Sequence, residues 1–147
     1  MSYATVQAAL LTAVRTTAEY DANNSGEGDE RLLAKGKQKV CILRYGGHAM
    51  EAIGSPNRWA IRWTVVVDLW FHGRGELKYY NSDIATTVQS VLNAVLAYPT
   101  LNGTAGVTHV QPGDASDPDR WQGELRDWWV VSFPVIVTEV VNVTIAE

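Results

Sequence analysis

At 147 residues the chain has room for one domain and not comfortably for two, and a domain of that size buries about 68–70% of its unfolded surface, so a sizeable core is expected. Twelve basic residues against sixteen acidic ones leave a net charge of −4, which excludes a broad cationic field for wrapping nucleic acid. A single cysteine, Cys41, excludes an intrachain disulfide, and the absence of any apolar run near 18 residues excludes a membrane-spanning helix.

The first segment, "MSYATVQAALLTAVRTTAEY", has neither the basic start nor the continuous apolar stretch of a signal peptide, so a cytoplasmic site of synthesis and use is expected. Val6, Leu10, Ala13, Val14 and Thr17 recur at helical spacing, with Ser2 or Thr5 as the cap, and the helix should fade near Asp21. Residues 21–39 are polar, contain glycine and carry both charges. They read as a mobile or functional loop, with a short helical turn around Arg31, Leu32 and Leu33. "KVCILRY" (39–45) reads as a strand. Residues 46–58, opened by Gly46-Gly47 and closed by Gly54-Ser55-Pro56-Asn57, read as a loop excursion before the next one.

That next strand, "WAIRWTVVVDLWF", is the best patterned. Trp59, Ile61, Trp63, Val65, Val67, Leu69 and Phe71 share a wholly apolar face, and Val66 and Trp70 stand out on the mixed opposite face. A helix follows, capped by Asn81 or Ser82, with Ile84, Val88, Val91, Leu92, Val95 and Leu96 at helical spacing. It stops before Pro99. A short strand is expected around 106–111, then a polar loop over 112–122. Last comes "RDWWVVSFPVIVTEVV", in which almost every position is fit for burial. Trp128 and Trp129 are adjacent, so one indole points to each side of a sheet. Pro134 donates no ladder bond and suggests an edge or a bulge. The order predicts a single α+β domain over 1–147. Its sheet is mainly antiparallel with about four strands, its two helices pack on one face, and its mobile loops lie near 21–39, 46–58 and 112–122.

No catalytic constellation rises above background. His48, His72 and His109 lack the i, i+3 or i, i+4 spacing of a helical metal site, and structural or solvated histidines are the better reading. Asp114, Asp117 and Asp119 lack the ligand spacing of a calcium loop. Asp68 and Asp127 lie within strands and read as edge charges or surface ion pairs rather than as a hydrolytic pair. There is no Gly-x-Ser-x-Gly elbow and no phosphate loop. Cys41 reads as a buried thiol, and Lys35, Lys37 and Lys39 as part of a solvated mixed-charge loop. The expectation is no enzyme, no cofactor and no metal.

What does stand out is apolar surface. Trp59, Trp63 and Trp129 fit the core face by parity. Trp70 and Trp128 fall on the other face with Val66, Val130, Ile136 and Val140. Two readings stay open: a helix on each face makes all of it core, or both helices share one face and another protein covers the second.

The order of elements resembles that of tail terminator, or tail-completion, proteins of long-tailed bacteriophages. It runs from the N-terminal helix through "RWAIRWTVVVDLWF" and "VQSVLNAVLAYPTLNGTAGVTHV" to "DWWVVSFPVIVTEVV". The resemblance implies a virion subunit that forms a ring, expected to be a hexamer. The ring sits on the head-proximal end of the tail tube, ends tube growth and meets a head-closure or connector protein, while DNA passes through its lumen without specific binding. The face of Val66, Trp70, Trp128, Val130, Ile136 and Val140 would then be the contact between subunits. On that basis Trp128→Asp is expected to break assembly and leave the subunit folded. The alternative is a small α+β ligand-binding module or enzyme with a pocket between helices and sheet.

Overall fold

The computed structural model describes residues 3–101, 103, 106–123 and 126–143, so the cap proposed at Ser2 lies outside the described residues. Helix α1 spans Tyr3–Val14 and buries Val6, Gln7, Leu10, Leu11, Ala13 and Val14. It ends where the hydroxyls of Thr16 and Thr17 donate to the carbonyls of Ala13 (2.7 Å) and Val14 (2.9 Å), satisfying acceptors that the helix leaves free. Helix α2 spans Asn81–Leu96 and buries Ile84, Thr87, Val91, Ala94 and Val95. Its N-cap position is Tyr80, which makes no side-chain cap bond, so neither Asn81 nor Ser82 fills the capping role expected of them.

The strands are β1 (Ser25–Glu27), β2 (Lys39–Ile53), β3 (Ser55–His72), β4 (Val107–Pro112), β5 (Asp119–Gln122) and β6 (Asp127–Asn142). Among the described residues they form one six-stranded sheet in the order β1-β2-β3-β6-β4, with β5 also paired to β6. The β1–β2 pair is parallel and the other pairs are antiparallel. The described residues are therefore α+β, with two α-helices and a mixed sheet. The two strands beyond the expected four lie in segments 21–39 and 112–122, which read as polar loops. At three and four residues, β1 and β5 are too short to show an alternating pattern.

Residues 46–58 are also not a loop excursion. They continue β2 and β3 into one long hairpin that reverses at Gly54, whose φ of 72° suits glycine. A bulge hides this in the sequence. Tyr45 pairs with Val65 and His48 with Trp63, so β2 spends one extra residue there and its inward side switches from odd to even positions. Gly46 sits in the bulge because a Cβ would stand 2.8 Å from Val66 Cγ2 and 2.9 Å from Thr64 Cγ2.

Both helices pack on the same face of the sheet. Leu10, Val14, Val91 and Val95 meet Leu43, Val65, Val67, Leu69, Phe133, Val135 and Val137 in one buried cluster. Each such side chain stabilises the fold by about 1.5–3 kcal/mol. This cluster fixes the body on which the surfaces described below are carried.

Candidate functional site

The outer face of the sheet, away from the helices, divides into three zones. At the body end, Leu32, Val40, Ile42 and Trp128 form a second buried cluster with Leu33, Trp70 and Val130 packed against it. Two devices cover it. A 3-10 turn, Glu30–Ala34, is capped by the Asp29 carboxylate, which accepts from Arg31 N at 3.1 Å and directs Leu32 onto the sheet. Strand β5 folds back along β6 and pairs Trp121 with Trp128. The indoles of Trp70 and Trp121 meet at 5.5 Å and 90°, those of Trp70 and Trp128 at 6.2 Å and 89°, and the Arg126 guanidinium lies 4.8 Å over Trp128.

Trp128 is thus 1% exposed and covered by its own chain. This corrects its assignment as an open contact. Parity placed it on the outer face correctly, but the non-local turn at 30–34 was not read as its cover. Trp70 and Val130 are half-buried in the same zone.

The middle zone is polar. Arg44 Nε donates to Asp68 Oδ2 at 2.7 Å, and the Ser132 hydroxyl donates to Asp68 Oδ1, so one nearly buried carboxylate ties β2, β3 and β6 together. Beyond it lie Val66, Ile136 and Val140, all half-buried and therefore still reachable from solvent. Of the six residues assigned to a subunit contact, these three are set apart from the zone that holds Trp70, Trp128 and Val130.

A cleft of about 390 Å³ opens between the 3-10 turn and the β5–β6 hairpin, lined by Glu30, Leu33, Trp70, Trp121, Arg126 and Trp128 among others. Trp70 Nε1 and Arg126 Nη1 are both buried without a hydrogen-bond partner among the described residues. His72, whose ring lies 5.6 Å from that of Trp128, has its pKa held below the usual value. Burial is the largest cause, followed by the charges of Arg126 and Arg74, with Asp127 opposing them.

The second candidate surface is the hairpin arm formed by the distal parts of β2 and β3. Past Leu43, β2 has no strand on its other side among the described residues, so its edge presents free N–H and C=O groups over residues 44–53. Tyr45, Met50 and Ile53 are exposed there, and Trp59 is half-buried with its indole N–H donating to Pro56 O at 2.9 Å. Sequence reasoning missed this surface. The signal was present as His48, Met50 and Ala52, which alternate once the extra residue of the bulge is allowed for.

At the root of the arm, Glu139 is fully buried. Its Oε1 accepts from Trp63 Nε1 at 2.8 Å, and its Oε2 has no partner among the described residues. Tyr3 packs on Trp63 and Tyr45, and its phenol pKa is pushed up to about 12, mainly by burial and then by the charge of Glu27. Tyr45 and His48 share a hydrogen bond.

The three histidines do not converge. His48 lies on the arm, His72 bonds Gln38 at the body end, and His109 is on β4. Among the described residues no group of three His, Cys, Asp or Glu side chains is placed to hold a metal ion. Cys41 is fully buried and its thiol pKa is raised by burial, which leaves it a packing residue and not a nucleophile. Asp68 pairs with Arg44 and not with its strand neighbour Arg62, which pairs with Glu51 at 3.0 Å. Asp127 faces Arg74 and Arg120 at 3.9 and 3.6 Å. What the arrangement offers is surface for association: an open strand edge with apolar side chains, and a tryptophan-lined cleft. No protein-family model matches the chain, and no curated protein matches it.

Proposed function

We propose that the chain is a structural subunit of a ring that caps a bacteriophage tail tube, ends its polymerisation and presents the joining surface to a head-closure or connector protein. The observation that supports this reading is the arm: an open strand edge with exposed Tyr45, Met50 and Ile53, carried beyond the helix-covered core. A long unpaired edge with apolar side chains is a template for pairing with another chain. Ring closure needs two different patches on each copy. The arm supplies one, and the zone of Val66, Ile136 and Val140 supplies the other. Trp128, closed off within its own subunit, has no part in the contact. A net charge of −4 suits a lumen through which DNA passes without being held. In this reading the ring is part of the virion, at the head-proximal end of the tail, and its partners are the tail tube protein and the connector.

The test combines native mass with tube growth. A closed ring of about six copies, together with shortened tubes when the subunit is added to polymerising tube protein, is the expected result. A subunit that stays monomeric both alone and with tube protein, and leaves tube length unchanged, overturns the proposal. The alternative, a small α+β ligand-binding module, draws its support from the tryptophan cleft.

A further inference from the structure

We propose that copies of this chain join edge to edge, the β4 edge of one copy adding antiparallel to the β2 edge of the next, so that the sheet runs unbroken from subunit to subunit. The inference rests on the reading of the chain as a self-associating ring subunit, and it names the edge that the arm meets on its neighbour.

Two long edges of the sheet are open among the described residues: β2 beyond Leu43, and the side of β4 turned away from β6. They lie at the same height. Across the ladders, Val110 pairs with Val137, Val137 with Trp63 and Trp63 with His48, while Val107 leads through Glu139 and Ile61 to Met50. Their directions also fit. The strands β2, β3, β6 and β4 alternate in direction, so a copy related by rotation about an axis along the strands brings its β2 antiparallel to β4.

The peptide groups of both edges are turned to pair. On the side of β2 away from β3, Cys41 N donates to Asn24 O at 2.9 Å and Leu43 O accepts from Gly28 N at 2.7 Å. The alternation of the ladder turns the peptides of Tyr45, His48, Met50 and Ala52 the same way, onto an edge that no described strand occupies. In β4, Gly106 O accepts from Val140 N and Gly113 N donates to Pro134 O, so Val107 and Val110 turn their N–H and C=O groups outward. Edges that must stay unpaired are blunted by charge or by proline. Residues 45–50 carry neither, and β4 has proline only at its end and no Lys, Arg, Asp or Glu to oppose Arg44 or Glu51. The β4 edge also borders the zone of Val66, Ile136 and Val140, because Ile136 pairs with Gln111. Pairing of two β2 edges across a twofold axis would leave both β4 edges open.

Disulfide trapping reads the contact directly. Ala49 and His109 are exposed and lie on one rung, through Arg62 and Thr138. In the joint ladder they form a non-hydrogen-bonded pair, with Cα atoms about 4.5 Å apart and within reach of a disulfide. Cys41 is buried and does not compete. A mixture of Ala49→Cys and His109→Cys should form a covalent dimer at least about tenfold faster than either variant alone, because apposition raises the effective thiol concentration. Met50→Pro, which removes an outward N–H and no bond of the β2–β3 ladder, should stay folded and be monomeric by native mass. A mixture that links no faster than the single variants overturns the inference, as does a folded Met50→Pro that assembles like the unaltered protein. Faster linking of Ala49→Cys to itself would assign the β2 edge to a twofold pair and overturn it too, and so would an unaltered chain that is monomeric at every concentration. Should Met50→Pro unfold, the cross-link decides. Tube length judges the capping role separately. Shortened tubes without the cross-link retain that role and discard the edge pairing, whereas cross-linked rings that leave tube length unchanged do the reverse.

Discussion

The three long strands live in two environments. In the body, Leu43, Val65, Val67, Phe133 and Val135 are wholly buried beneath two helices. In the arm, a few residues further along β2, Tyr45 is 50%, Met50 53% and Ile53 37% exposed. Hydrogen-bonded pairing runs through both regions, since β3 meets β6 from His72–Trp128 at one end to Arg58–Asn142 at the other. The difference teaches that the ladder sets the shape and side-chain burial sets where stability resides. The body resists unfolding. The arm inherits its geometry from the body and leaves its apolar side chains exposed.

The largest effect should come from the outer face of the body, where the comparison corrects the sequence reading most. Trp128→Asp replaces a fully buried indole with a carboxylate beneath Leu32, Val40 and Ile42. Lost burial and a desolvated charge together should cost at least about 3 kcal/mol. Urea unfolding should show that loss in the isolated subunit, whatever its state of assembly. A Trp128→Asp subunit of unchanged stability would mean that the 3-10 turn does not close over this face.

How far the fold was legible depends on whether each signal was local. Helix α2 was legible because Ile84, Val91 and Val95 repeat at its period, and the inner face of β3 because seven apolar side chains alternate from Trp59 to Phe71. The turn around Leu32 and Leu33 was visible as a turn, but its role was not. That Leu32 lands on Trp128 is a contact across nearly a hundred residues, and no period encodes it. The arm was hidden for a different reason. Gly46-Gly47 carries a turn signature, and here it builds a bulge that reverses the parity of β2, so an alternating strand stops looking like one. Parity likewise assigned Val66, Ile136 and Val140 to the outer face, where they are found, but it carried no information on which zones of that face the chain would cover itself.

Gly46 is the joint between the two regions, and Gly46→Ala tests it. The new methyl would meet Val66 Cγ2, Thr64 Cγ2 and the Thr64 carbonyl. Overpacking of this kind costs about 1–3 kcal/mol. Because the strain falls where arm meets body, hydrogen exchange should rise in residues 44–53 before it rises in the core. A uniform rise across the chain would mean that the arm and body unfold as one unit. Met50→Asp goes further towards the surface. Its side chain is exposed, so stability should move by no more than about 0.5 kcal/mol. Assembly should nevertheless be lost by native mass, which would separate the two roles cleanly. A variant that still forms rings would remove Met50 from the contact.

The smallest effect lies at the end of β3 farthest from the arm. His72 has its pKa held below 6.5 in the folded chain, chiefly by burial and then by Arg126 and Arg74. The neutral ring is therefore the form the fold prefers. As pH falls through about 6.5, the unfolded chain takes up a proton before the folded chain does, so stability falls with it until the folded-state pKa is passed. Above that window the residue contributes no pH dependence. His72→Gln should flatten this part of the profile of urea midpoint against pH while leaving the alkaline side unchanged. On that side the raised pKa of Tyr3 acts with the opposite sign, withdrawing stability as pH climbs from 10 towards 12. Parallel profiles for the two proteins below pH 6.5 would show that the His72 ring meets water as freely in the folded chain as in the unfolded one, and that the body end of the sheet is less closed than its packing indicates.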